Sequence, residues 1–367
     1  MRYYIIAGEA SGDMLGAHLV QALKARDSQA DFRYWGGDNM KAAVGQTPVR
    51  HIRDLAFMGF LEVLAHLKSI LGNLSFCKQD ILDYRPDVVI GIDYPGFNLK
   101  IEQWAHLHRF KTIHYISPNL WAWKKGRIRG MKKSLDLLCY ILPFEEKFFH
   151  DNQMAQALYV GHPLLDAIRD IDKPVLRREK PTIVLMPGSR RQELESNMPL
   201  MVQLAKRHPE FCFVVAGMSL LGDSIYQRYI PADSNIEVVY DQTYSLLADA
   251  YAAVVCSGTA TLETALFNVP QVVCYRGNPL SYLIARAVVS RRIRYISLVN
   301  LIADQPIVTE LIQDDFNPSR LEQEFQLITT DNVNRSRIFT QYAHMRTLLG
   351  GGGASDRTAQ AIIDLLK

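Results

Sequence analysis

The sequence is poor in the features that would place it at once. It has only five cysteines in 367 residues, and no two stand as a C-x-x-C pair. A disulfide framework and a thiolate zinc site are both disfavoured, and reduced, buried thiols in a cytoplasmic protein are expected. His106 and His108 are the nearest histidine pair, but on a helix that spacing points them apart, so no metal is expected. No apolar run approaches the roughly 18 residues needed to span a membrane. The stretch 262–273 is interrupted by Glu263 and Asn268. Met1-Arg2 leads straight into Tyr3-Tyr4-Ile5-Ile6, which reads as a strand rather than a secretory signal. Charge of one sign is also missing. Lysine plus arginine number 41 against 38 acids, a net +3 too mild to predict nucleic-acid binding. The fingerprint G-x-G-x-x-G is absent, which argues against a dinucleotide enzyme.

What is present is an alternation. Short apolar runs at 3–7, 32–35, 88–92, 111–116, 137–142, 157–160, 182–186, 212–216, 236–239, 252–256 and 269–275 are separated by helical patterns. The helical patterns include 14–26, 61–71, 199–207, 244–250 and 261–267. Strand and helix repeated in this way predict an α/β protein with parallel, doubly wound, Rossmann-like sheets. Eleven strands are many for one sheet, so two domains are expected, 1–170 and 171–345. The charged stretch from Asp170 to Pro181 marks the boundary. The segment Gly350-Gly351-Gly352-Gly353 reads as a joint. It would let a last helix, capped by Ser355 and presenting Ala359, Ile362, Ile363 and Leu366 on one face, return to the first domain as 354–367 or reach a second copy in a homodimer.

Five segments follow strands, where open α/β sheets bind ligands. Gly8-Glu9-Ala10-Ser11-Gly12-Asp13 is a tight, acidic turn suited to a sugar or acceptor, with an ordinary capped helix start as the plain alternative. In Gly91-Ile92-Asp93-Tyr94-Pro95-Gly96-Phe97-Asn98, Asp93 can take a proton from an attacking hydroxyl, and burial near Tyr94 and Phe97 would raise its pKa. A turn aspartate bonding its own backbone is the alternative. Ser117-Pro118-Asn119-Leu120-Trp121-Ala122-Trp123 is followed by Lys124, Lys125, Arg127, Arg129, Lys132 and Lys133, which suits an amphipathic or anionic ligand or a solvated helix face. Gly188, Ser189 and Arg190 offer backbone N–H groups and a guanidinium fork to phosphate. Ser257-Gly258-Thr259-Ala260-Thr261-Leu262-Glu263 offers hydroxyls, helix-start N–H groups and, in the first turn, a carboxylate for a ribose diol. Two phosphate cradles in one half and an acidic, aromatic crevice in the other describe a glycosyltransferase. Donor and acceptor would meet in a cleft between the domains. No metal or other cofactor is required if N–H groups and Arg190 carry the leaving diphosphate.

These motifs, in order, resemble the lipid-A-disaccharide synthase family. The match also includes Met58-Gly59-Phe60-Leu61-Glu62-Val63, His114-Tyr115-Ile116-Ser117-Pro118, Gly161-His162-Pro163, Pro270-Gln271-Val272-Val273-Cys274-Tyr275 and Val299-Asn300-Leu301-Ile302. The resemblance implies the glycosyltransferase-B architecture and an inverting transfer. UDP-2,3-diacylglucosamine would be the donor and 2,3-diacylglucosamine 1-phosphate the acceptor, giving a β-1,6 disaccharide 1-phosphate and UDP. The family's essential aspartate falls on Asp93, its phosphate-binding arginine on Arg190 and its nucleotide-contacting glutamate on Glu263. Asn300 and Glu310 match positions near the nucleotide. Glu9, Ser11, Gly12, Asp13, Asn98, Ser117 and Trp121 would line the acceptor side.

Two positions depart from the family pattern. Gly96 stands where the family has a second acid, which leaves Asp93 alone as base, and Val299 replaces a proline. Lipid substrates imply a peripheral protein on the inner face of the inner membrane. The stripe Phe57, Phe60, Leu61, Leu64, Leu67 and Leu71 beside Lys68, with the basic run from Lys124 to Lys133, is the candidate docking surface, and core packing is the alternative for the stripe. A second UDP-sugar enzyme on the same scaffold, an epimerase or another lipid-linked glycosyltransferase, is the rival reading.

Overall fold

A computed structural model describes residues 1–54, 67–121, 126–169, 178–231, 234, 236–277 and 294–367. Outside these lie the motif 58–63, the first part of the expected helix 61–71, Phe57, Phe60, Leu61 and Leu64 of the stripe, Ala122, Trp123, Lys124 and Lys125, and residues 170–177 of the expected boundary. The chain divides into two compact units, Met1–Asp166 with Gly351–Lys367, and Ala167–Gly350.

The first unit holds seven parallel strands in the order β3-β2-β1-β4-β5-β6-β7. They are β1 (Arg2–Ala7), β2 (Asp31–Gly36), β3 (Arg50–His51), β4 (Val88–Ile92), β5 (Lys111–Tyr115), β6 (Leu137–Tyr140) and β7 (Ala157–Tyr159). Its helices are α1 (Ala10–Arg26), α2 (Asp38–Val44), α3 (Leu67–Tyr84), α4 (Pro95–Leu107), α5 (Arg127–Ser134), α6 (Glu145–Asp151) and α7 (Leu164–Arg169), the last of which runs across the division. The second unit holds six parallel strands in the order β10-β9-β8-β11-β12-β13. They are β8 (Thr182–Met186), β9 (Cys212–Gly217), β10 (Ile236–Tyr240), β11 (Ala250–Cys256), β12 (Gln271–Tyr275) and β13 (Thr309–Ile312). Its helices are α8 (Arg191–Arg207), α9 (Asp223–Gln227), α10 (Thr243–Ala248), α11 (Thr259–Leu266), α12 (Leu298–Ala303), α13 (Pro318–Thr329) and α14 (Asn332–Leu349).

The central strands are apolar along their length because helices cover both faces. Every residue of β4 and β8 is buried, as are Tyr3 to Ala7 of β1. All eleven expected strands form. Two further ones carry little apolar signal: β3 is two residues long, and β13 contains Glu310.

Several helix starts differ from expectation. α1 begins at Ala10, so Ser11, Gly12 and Asp13 belong to its first turn. α8 begins at Arg191 and carries Pro199 in its interior, although that proline reads as a helix start. α15 (Ala354–Leu366) begins before Ser355, so Ser355 is not its cap. The Asp166 carboxylate serves instead, accepting from the N–H groups of Gly353 and of Ser355, the latter at 3.2 Å. The chain reaches α15 through Gly350 and Gly353, both at positive φ, where a side chain would be strained. α15 then packs on α1, with Ala359, Ile362 and Ile363 buried and Arg26 paired to Asp356 at 2.8 Å.

Candidate functional site

Each sheet reverses its winding at a central pair of strands, β1 beside β4 and β8 beside β11. Loops leaving the carboxyl ends of such a pair diverge and leave a crevice. Glu9, Asp93, Arg190 and the turn from Ser257 to Glu263 follow these four strands, whereas Ser117 and Trp121 follow β5 and Asn300 and Glu310 lie in α12 and β13.

In the first unit, Asp93 follows β4 directly. Asp93 and Tyr94 both adopt left-handed backbone, at φ 46° and 49°. For residues other than glycine this conformation costs of order 1–3 kcal/mol each and persists only where the surroundings enforce it. Two contacts enforce it. The Asp93 N–H donates to the Tyr115 carbonyl at 2.9 Å. The buried Asn98 amide donates to the carbonyls of Asp93 at 2.7 Å, Ile6 at 3.2 Å and Ile92 at 3.3 Å, tying both strand ends together. The Tyr94 ring lies where a Cβ on Gly8 would come within 2.5 Å, so the residue after β1 must be glycine for the two loops to meet. Burial raises the Asp93 pKa, opposed by His114 and by the Tyr94 backbone. Burial also raises that of Tyr94, helped by the Glu9 carboxylate.

Four residues expected to face the acceptor are buried instead. Asp13 is 1% exposed and accepts from the N–H groups of Gly37 (2.5 Å), Asn39 (3.0 Å) and Met40 (3.1 Å), so it anchors the start of α2. Gly12 packs α1 against Ala7 and Ile92. Asn98 holds the Asp93 loop, as described. The Ser117 hydroxyl is buried and donates to the Pro118 carbonyl at 3.0 Å. Ser11 is exposed, and Glu9 and Trp121 are half-buried. The Trp121 ring meets the edge of Phe144 with centroids 4.9 Å apart. Beside it Glu145 is enclosed, and burial lifts its pKa to about 8 against the backbone donors of Leu142 and Ile141.

In the second unit the two cradles differ. At the start of α8, the Glu193 carboxylate accepts from the N–H groups of Ser189 at 3.0 Å and Arg190 at 3.3 Å. It also pairs with the Arg190 guanidinium at 3.4 Å. The N–H groups expected to hold phosphate therefore already hold a carboxylate from their own helix, a capping box. Gly188, at φ 125°, makes room for it, since a Cβ there would lie 2.5 Å from the Glu193 Cβ. The Arg190 side chain remains 58% exposed.

The start of α11 is open. Gly258 and Thr259 are exposed, and a Cβ on Gly258 would meet nothing within 4 Å. Ala260 lies half-buried beside them. The Ser257 hydroxyl donates to the Ile296 carbonyl at 3.0 Å and that of Thr261 to Gly258 at 2.8 Å, which fixes the turn. Glu263 is the fifth residue of α11, not in its first turn, so the helix dipole does not favour its charge as expected. Its pKa is raised by burial, and it accepts from the Tyr244 hydroxyl at 3.1 Å. Asn300 is taken up by contacts within the unit. It is 1% exposed, donates to Val308 O and Glu310 Oε1 and accepts from Val308 N. Glu310 also takes the N–H groups of Ile296 and Ser297, both at 2.9 Å, and so carries the loop that Ser257 leans on.

Three features escaped the sequence reading. Glu193 was legible, because Arg190-x-x-Glu193 has capping-box spacing. Glu145 carries no local signal. The third is a buried pair, Glu102 and His114, joined at 2.7 Å. Its only trace is that Asn98 and Glu102 lie four apart on one helix. Among the described residues no group of three or more His, Cys, Asp or Glu could hold a metal ion, and no helix is long and apolar enough to cross a membrane.

Comparison with known proteins agrees with this layout. The family model for lipid-A-disaccharide synthetase matches residues 3–362. A lipid-A-disaccharide synthase of Syntrophus aciditrophicus is 37% identical, the match covering 99% of this chain and 97% of the relative. One of Coxiella burnetii is 35% identical over 99% of this chain and 98% of its own. Among solved structures, a UDP-GlcNAc 2-epimerase of Neisseria meningitidis bound to UDP-GlcNAc superposes with TM-score 0.72 at 13% identity, covering 99% of this chain and all of that one. The glycotransferase of kitacinnamycin gives 0.67 at 15%, covering 100% and 99%. These distant structures establish the fold alone, two doubly wound units of the glycosyltransferase-B type.

Proposed function

Because the chain belongs to the lipid-A-disaccharide synthase family and is thus a glycosyltransferase, we propose that it moves 2,3-diacylglucosamine from UDP to 2,3-diacylglucosamine 1-phosphate, with inversion. The observation that carries the reading is the division of chemistry between the two units. The first has a desolvated carboxylate, Asp93, on a strand end. The second has an open helix start, Gly258 to Ala260, and an exposed guanidinium, Arg190.

The second unit would bind the nucleotide. The N–H groups at the start of α11 face the diphosphate, Arg190 neutralises it, and Glu263 accepts from the ribose hydroxyls. Arg190 leaves Glu193 to do so, exchanging one anion for another. The first unit would hold the acceptor beside Asp93. The acceptor 6-hydroxyl oxygen bonds to the donor's anomeric carbon, and the bond from that carbon to the UDP oxygen breaks. The hydroxyl proton passes to Asp93 and the bonding pair leaves on UDP. Attack opposite the leaving group gives the β-linked product. A carboxylate raised by burial is a stronger base than one in water, which suits removal of a proton from an alcohol.

On α5, Arg129, Lys132 and Lys133 are exposed while Ile128 and Met131 are buried. This amphipathic arrangement supports docking on an anionic, cytoplasmic membrane surface where the lipid substrates reside. UDP release from the two lipid substrates in detergent, with and without acceptor, tests the reaction. Acceptor-dependent release is expected. UDP binding without release would transfer the function to another UDP-sugar reaction, such as an epimerisation.

A further inference from the structure

We propose that Glu102 and His114 form a buried positioning pair that holds Asp93 as a carboxylate beneath its strand end. The inference rests on the reading of Asp93 as the base.

The pair sits where β4, β5 and α4 meet. His114 of β5 stands opposite Gly91 of β4 in the parallel register, two residues before Asp93. Glu102 comes from α4, one turn beyond Asn98, which holds the Asp93 backbone. A Cβ on Gly91 would lie 2.1 Å from the Glu102 carboxylate and 2.9 Å from the Asn98 Cβ. Only glycine there lets the helix press both polar side chains onto the sheet. His114 and Glu102 are 0% and 1% exposed, with Nδ1 and Oε1 at 2.7 Å.

Charge accounting decides the state of the pair. A neutral imidazole would leave the Glu102 carboxylate buried without a counter-charge, which is costly. An imidazolium gives a neutral pair and places a cation opposite Gly91, two residues before Asp93 on the same face of β4. Burial pulls the His114 pKa down, yet Glu102, then Asp93, carry it above the ordinary histidine value. The same His114 opposes the burial that raises Asp93. The groups facing His114 are Glu102 from α4 and Asp93 from the end of β4. From the other side β6 brings Leu138 opposite it, and the Ile116 backbone also favours its protonated form. Asp93 is also flanked by Tyr94, itself facing Glu9. The pair thus balances two needs of a buried base, dryness and ionisation. Without its cation Asp93 would hold its proton to higher pH and be inactive as a base over more of the range.

The test has two readouts. The first is an NMR titration of the His114 imidazole in the wild type, in Glu102→Gln and in Asp93→Asn. His114 should stay protonated above the ordinary histidine range in the wild type, and its midpoint should fall in both variants. The second is the pH profile of kcat for transfer in His114→Gln and Glu102→Gln, both checked for native circular dichroism. The acidic limb should move to higher pH, with a loss of about tenfold at the acidic end that shrinks as pH rises and with KM for the UDP-sugar unchanged. A uniform loss at every pH with an unmoved limb, or a His114 that titrates as free imidazole, would overturn the proposal. If the wild type transfers nothing, the proposed function fails, and the titration still judges the pair.

Discussion

At the reversal point of the first sheet stand Asp93 and Glu9, above the buried Glu102–His114 pair. At that of the second stand Gly188, Arg190, Ser257, Gly258 and Thr259, small or cationic groups, of which Arg190, Gly258 and Thr259 are exposed. The two sheets share one winding, outward from β1 to β2 and β3 and from β8 to β9 and β10, then back through β4 and β11. The same scaffold therefore presents a carboxylate in one unit and an open helix start with an exposed guanidinium in the other. Winding fixes where ligands bind, and the residues on the loops fix which ligands they are. Within the second unit the contrast repeats on a smaller scale: α8 is closed by its own Glu193, and α11 is open.

The comparison can be broken most severely at Asp93. Asp93→Asn keeps the side-chain shape but cannot accept the proton, so kcat should fall by about 10²–10⁴-fold in the UDP-release assay. Next is Gly258→Asp, which sets a negative charge at the open start of α11. UDP affinity should drop about tenfold by titration calorimetry, because the helix start then repels the diphosphate it should attract. Smaller again is Glu193→Gln. Removing the carboxylate frees Arg190 and the α8 start, and UDP should bind about two- to fivefold more tightly, in line with about 0.3–1 kcal/mol for a charge at a helix terminus.

The last prediction concerns stability in the first unit. Glu145 has its folded pKa raised by burial from 4.5 to about 8, so between those values the folded state binds a proton that the unfolded state has released. Stability from this group is full below pH 4.5 and is lost as pH rises toward 8. Glu145→Gln should flatten that decline, giving a melting temperature a few degrees higher than wild type at pH 8 and about equal to it at pH 4. An unchanged pH slope would show that the carboxyl is hydrated.

Much of this architecture was legible because parallel strands buried on both faces leave unbroken apolar runs, as in Tyr3 to Ala7 and Thr182 to Met186. β13 was not, since Glu310 interrupts its run to hold a loop elsewhere. Pro199 suggested a helix start because proline favours the first turn, yet tertiary packing carries α8 through it. Asp93 and Arg190 could be picked out because a charged residue in the loop between a strand and the next helix stands at the edge where open α/β sheets bind ligands. The burial of Asp13, Asn98 and Asn300 could not, because it depends on loops brought in from residues 37–40, from β1 and from residues 308–310. A polar residue beside a motif reads the same whether it meets a ligand or ties down the loop that does. His114 and Glu102 were hidden for the same reason, since only the β4–β5 register and the face of α4 unite them.

The most direct measurement is a paired one: UDP titration and acceptor-dependent UDP release on Asp93→Asn and Gly258→Asp, beside wild type. The account predicts a crossed result. Asp93→Asn should bind UDP as wild type does and fail to transfer, while Gly258→Asp should bind UDP weakly and regain transfer as the donor is raised. Equal loss of UDP binding in both variants would contradict the division of labour between the two units.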